Sequence, residues 1–89
     1  MNENINESIT ETELDLSKQY NLPKEISIIK YKGIYLTIYT EGILWIVLHN
    51  EEEKNVFLDL KNKHNLEYVF KKYSEEAVLN VLIQLEAKK

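Results

Sequence analysis

The chain has 89 residues, a formal charge of −4, no cysteine and only lysine among its basic residues. That length supports one small core, and the missing thiols exclude a disulfide framework, a cysteine nucleophile and a sulfur-ligated zinc or iron–sulfur centre. Without arginine there is no guanidinium for bidentate reading of phosphate or guanine.

No apolar run approaches the roughly 18 residues that cross a bilayer, and the N-terminus lacks a signal-peptide pattern. A cytoplasmic protein with no membrane partner is therefore expected. The charge is uneven: residues 1–23 hold five acids and one lysine, residues 24–49 three lysines and two acids, and residues 50–89 seven lysines and eight acids. The folded part is close to neutral.

The opening "MNENINESITETELDLSKQYNLP" is polar until Leu14 and is expected to form a mobile acidic tail over residues 1–22, ahead of one folded domain over residues 23–89. Pro23, the only proline, sets an extended start for the first regular segment. From there the pattern has period two. Ile26, Ile28 and Lys30 share one side, and Ile34, Leu36 and Ile38 face away from Tyr35, Thr37 and Tyr39. The only two glycines, Gly33 and Gly42, fall between the runs, where tight hairpins need positive φ. The spacing predicts an antiparallel meander of three strands, 26–32, 34–40 and 43–48.

The third run, Ile43 to Leu48, does not alternate. An apolar strand of this kind is covered on both faces or waits for a partner to cover it.

After Leu48 the period changes to that of a helix. Asn50 is placed to cap a first helix, with Glu53 completing a capping box, Glu51 and Glu52 in its first turn, and Val56, Phe57 and Leu60 as its apolar stripe. A second helix follows Asn65, with Leu66, Val69, Phe70 and Tyr73 on one face. Ser74 caps a third, whose apolar arc of Val78, Val81, Leu82 and Leu85, extended by Leu79 and Ile83, is wider than packing on one small core requires. The fold class is α+β: a three-stranded antiparallel sheet followed by three helices, of winged helix-turn-helix type.

Nothing in this pattern builds a catalytic centre. His49 and His64 stand in no metal-ligand spacing and read as helix-boundary residues, and the run Glu51–Glu53 reads as a solvated, dipole-favoured helix start. Phosphate-cradling glycine motifs are absent. The expected protein is a binding module rather than an enzyme, with no cofactor and no metal. A winged-helix DNA-binding protein is an alternative, weakened by the near-neutral helical half and by the acids that open "SEEAVLNVLIQLEAKK". No nucleic-acid partner is expected.

The stretches "GIYLTIYTEGILWIVLHNEEEKNVFLDL" and "HNLEYVFKKYSEEAVLNVLIQLEAK" resemble the RiPP precursor peptide recognition element, the PqqD-like winged helix-turn-helix domain. Over residues 24–89 the chain is most similar to versions at the N-terminus of radical SAM peptide maturases, although the cysteine cluster of such enzymes is absent. The resemblance implies that the leader segment of a ribosomal precursor peptide binds as an added strand between strand three and helix three, for delivery to a modifying enzyme of the radical SAM class. It places strand three at Leu44, Trp45, Ile46, Val47 and Leu48, and the facing wall at Val78, Leu79, Leu82, Ile83 and Leu85. Trp45 is the expected anchor. A strand with an open apolar edge also fits a dimerising interaction domain, a homodimer paired through strand three. Within the tail, "TELDLSKQYNL" is similar to the Leu-Asp box of lanthipeptide leaders, which implies that it could lie in the cleft itself.

Overall fold

The structure is a computed structural model and describes residues 13–39, 42 and 44–88. Three strands, β1 (Ile26–Tyr31), β2 (Ile34–Tyr39) and β3 (Leu44–Leu48), precede three helices, α1 (Glu51–Lys61), α2 (Leu66–Lys72) and α3 (Glu75–Ala87). The sheet is antiparallel in the order β1-β2-β3. This is the α+β arrangement expected from the sequence. The expected strand termini at Thr40 and Ile43 lie outside the described residues. β1 stops one residue short of expectation because Lys32 joins Gly33 in the left-handed region, at φ 51° and 85°, making the two-residue loop that suits a tight hairpin.

Register separates the sheet into two faces, since directly paired residues point the same way. Ile26, Ile28, Tyr35, Thr37 and Leu48 face the helices, while Ile29, Tyr31, Leu36 and Val47 face outward. The core on the inner face is formed by Tyr35, Ile46 and Leu48 of the sheet with Val56, Phe57, Leu60, Leu66, Val69, Ala77, Val78, Val81, Leu82 and Leu85 of the helices. Asn50 and Ser74 cap α1 and α3 as expected, and Asn65 caps α2: their side chains accept the backbone N–H of Glu53, Ala77 and Tyr68, satisfying donors that a helix start leaves open.

The acidic start of α1 is solvated as expected at Glu51, whose side chain is 64% exposed, but not at Glu53. Glu51 accepts the Tyr35 hydroxyl of β2 at 2.6 Å, and Glu52 accepts the Ser74 N–H at 2.7 Å. Glu53 is 1% exposed and accepts the His49 N–H at 2.9 Å and the Asn80 amide at 3.0 Å. The expected capping box is thus closed one residue upstream, on His49 rather than Asn50. Three consecutive glutamates tie α1 to β2, to the start of α3 and to the end of β3.

The expected mobile tail over residues 1–22 takes another form from residue 13 onward; residues 1–12 lie outside the described residues. Leu16 and Lys18 accept, through their carbonyls, the N–H groups of Glu67 and Leu66 at 2.9 and 3.1 Å, so this strap completes the capping of α2. Tyr20 is buried in the core, its hydroxyl donates to Glu86 at the end of α3, and Gln19 donates to the Lys63 carbonyl. The strap therefore crosses the α2–α3 side of the molecule, and its described hydrogen bonds to the rest of the fold go to α2, to the loop before it and to the end of α3.

Candidate functional site

β3 is an edge strand, flanked by β2 on one side and by no strand on the other among the described residues. Its apolar run is explained by an irregularity in pairing. Leu36 pairs with Val47 and Ile38 with Leu44, so β3 inserts one residue, and Trp45 and Ile46 together stand opposite Thr37. A bulge of this kind leaves the extra residue outside the regular alternation. Ile46 is buried at 2% exposure and Trp45 packs on the core beside it, with its ring edge toward Phe57 at a centroid distance of 6.1 Å. The buried Thr37 hydroxyl supplies the bonds that the bulge interrupts: it accepts from Ile46 N–H at 2.8 Å and donates to Ile46 C=O at 2.9 Å.

On the unpaired side of β3 the partner comes from α3. The Val47 N–H donates to Gln84 Oε1 at 2.8 Å, and Gln84 Nε2 donates to the Val47 carbonyl at 2.6 Å. One side-chain carboxamide thereby satisfies both backbone groups of one residue on a sheet edge. A turn earlier on the same flank, Asn80 holds Glu53. Two amides spaced four residues apart fasten α3 along β3 and its junction with α1.

The residues expected to form the cleft divide into three groups. Val78, Leu82 and Leu85, with Ile46 and Leu48, lie in the core, where the buried arc of α3 packs on the sheet and on α1. Trp45 and Val47 are half-buried. Leu44, Leu79 and Ile83 are exposed, Ile83 at 67%. Strand three and helix three are therefore neighbours, as expected, but the side chain that bridges them is Gln84, absent from the expected set. A signal for it existed: Asn80 and Gln84 repeat a carboxamide at helical spacing beside an apolar arc.

Beyond Val47, the outward face of the sheet carries Ile29, Tyr31, Ile34, Leu36, Ile38 and Leu44, of which Ile29, Tyr31 and Leu44 are about half exposed. This apolar surface is contiguous with the β3 edge.

Electrostatically the site is anchored at Glu53. Burial raises its pKa, but the His49 backbone N–H, the Asn80 amide and the His49 ring outweigh that cost and hold the carboxylate below its ordinary value. The His49 ring is mostly exposed and its Nδ1 lies 2.9 Å from Glu53. His64 stacks on Tyr68 at 3.9 Å between centroids. Among the described residues no group of histidine and carboxylate side chains is arranged to hold a metal ion, and no helix is long and apolar enough to cross a membrane.

Comparison with protein-family models, with curated proteins and with solved structures finds no match to this chain.

Proposed function

We propose that this chain is a non-catalytic module that captures an extended peptide by strand addition along β3, beside α3. The observation that carries this reading is the edge at Val47: its outward N–H and C=O are met by a side-chain carboxamide and not by a strand. Main-chain bonding to such an edge supplies affinity, and pockets for alternate side chains supply selectivity. The exposed Leu44, Leu79 and Ile83 flank the same region and offer apolar surface to a guest.

The resemblance in sequence to precursor peptide recognition elements names the guest as the leader segment of a ribosomal precursor peptide. The recipient is then a modifying enzyme of the radical SAM class, to which this chain belongs as a domain or as a partner. Holding the leader raises the local concentration of the attached core peptide at that enzyme's active site. The surface of α3 also favours peptide over DNA, because its first turn carries Glu75 and Glu76 where a recognition helix would present donors and cations to bases and phosphates. Amide exchange tests the reading: saturation with the leader encoded beside this chain's gene slows β3 amides, and unchanged exchange at saturation refutes it.

A further inference from the structure

We infer that Gln84 is a displaceable latch, a built-in stand-in for the guest strand. This inference rests on the strand-addition reading and adds to it how the edge is kept closed and where the guest must register.

In an antiparallel ladder, a hydrogen-bonded pair exchanges both bonds between two residues. Gln84 makes the same two bonds to Val47, at 2.8 and 2.6 Å, and so occupies the position of the guest residue that would face Val47. Both cannot be satisfied at once, since each backbone group of Val47 points to one side only. An added strand must therefore release the carboxamide.

The release requires no movement of α3. Val78, Val81, Leu82 and Leu85 keep the helix in the core, Asn80 holds it to Glu53 at 3.0 Å, and Gln84 is only half-buried. Rotation about the side chain of Gln84 is sufficient. In the free chain the latch also protects the edge, because an open strand edge invites pairing with other chains.

Register follows from the same geometry. The guest residue that replaces Gln84 shares Val47's face of the sheet, which is the outward face lined by Leu36. An apolar side chain at that guest position extends the outward patch; a charged one faces it without a partner.

The test uses the whole chain, its Gln84→Ala and Gln84→Glu variants, and a synthetic peptide recovered on the wild-type chain from a displayed library of random peptides. Gln84→Glu keeps size and acceptor but lacks the donor for the Val47 carbonyl, and guards against a folding defect in Gln84→Ala. The expected result has two parts. Val47 amide exchange is slow in the free wild type, fast in free Gln84→Ala and slow again in its peptide complex. The peptide binds Gln84→Ala about tenfold more tightly than wild type, since a competitor worth roughly two hydrogen bonds is gone, with Gln84→Glu between them. Equal or weaker binding by both folded variants overturns the latch while leaving peptide capture intact. Failure to recover any binding peptide overturns strand addition and the latch with it.

Discussion

The hydroxyl of Thr37 lies within hydrogen-bonding distance of both backbone groups of Ile46, 2.8 Å from the N–H and 2.9 Å from the carbonyl oxygen. It is fully buried and stands where the β2–β3 register shifts, between Leu36 and Ile38. This one side chain allows β3 to carry a bulge within a closed core. The bulge in turn lets Trp45 and Ile46 both reach the core while Leu44 and Val47 remain on the outer face.

Thr37→Val keeps the shape and removes the hydroxyl, leaving two buried backbone groups of Ile46 unsatisfied. We expect a loss of about 2–4 kcal/mol in urea unfolding, with Thr37→Ser recovering most of it. Similar stability for Thr37→Val and wild type would show that the bulge does not depend on this hydroxyl.

Glu53 gives the fold an acid limit. Its folded pKa lies below the ordinary 4.5, so its contribution is fully present above that ordinary value and is lost as pH falls through the depressed folded value. Wild-type stability should decline over that acidic range. Glu53→Gln should be less stable at neutral pH by about 1–3 kcal/mol, because a carboxamide must turn its N–H₂ toward either the His49 N–H or the Asn80 amide. Its acid decline should be shallower than that of wild type, as pH-dependent chemical denaturation would show.

The strap should be part of the cooperative fold. Tyr20→Ala removes a buried aromatic ring and should cost about 3–5 kcal/mol, releasing the segment around Leu16 and Lys18 to proteolysis. Tyr20→Phe loses only the hydroxyl bonded to Glu86 and should cost about 1 kcal/mol. Equal protease sensitivity of wild type and Tyr20→Ala in this segment would mean that the strap is not held in solution.

Ile83 separates binding from stability. It is 67% exposed and next to Gln84, so Ile83→Glu should change unfolding by no more than about 0.5 kcal/mol. It should nevertheless weaken capture of the leader about tenfold or more, by placing a charge beside the guest. Leu82→Glu is unsuitable for this purpose because Leu82 is 5% exposed within the core. Unaltered leader affinity in Ile83→Glu would remove this face of α3 from the site.

Element order, caps and the run of helix types were legible in the sequence because they follow from local rules: the glycines at the hairpins, the Asn and Ser residues at helix starts, and the change of period after Leu48. Which face of the sheet meets the helices was not. Ile34, Leu36 and Ile38 look like the core set by hydropathy, yet Tyr35 and Thr37 are the buried ones, a choice made by the bulge and by tertiary partners. Glu51, Glu52 and Glu53 read as a solvated start, which holds for Glu51 but not for Glu53, because propensity describes one helix at a time. Their partners Tyr35, Ser74 and Asn80 are 16 to 27 residues away, beyond the reach of a local pattern. The candidate site is legible as a pairing of strand three with helix three, but Gln84 is not, because carboxamides such as Asn80 and Gln84 beside an apolar arc look like the solvated edge of a helix face.

The most direct measurement is a titration of the chain with the leader segment of the precursor peptide encoded beside its gene, following Trp45 emission with calorimetry for stoichiometry. Trp45 is the only tryptophan and lies on β3 beside Phe57, so it reports on the strand that is expected to bind. Strand addition predicts saturable one-to-one binding with a shift in Trp45 emission that Ile83→Glu weakens. Absence of binding by both methods, with the chain shown to be folded, would contradict leader capture.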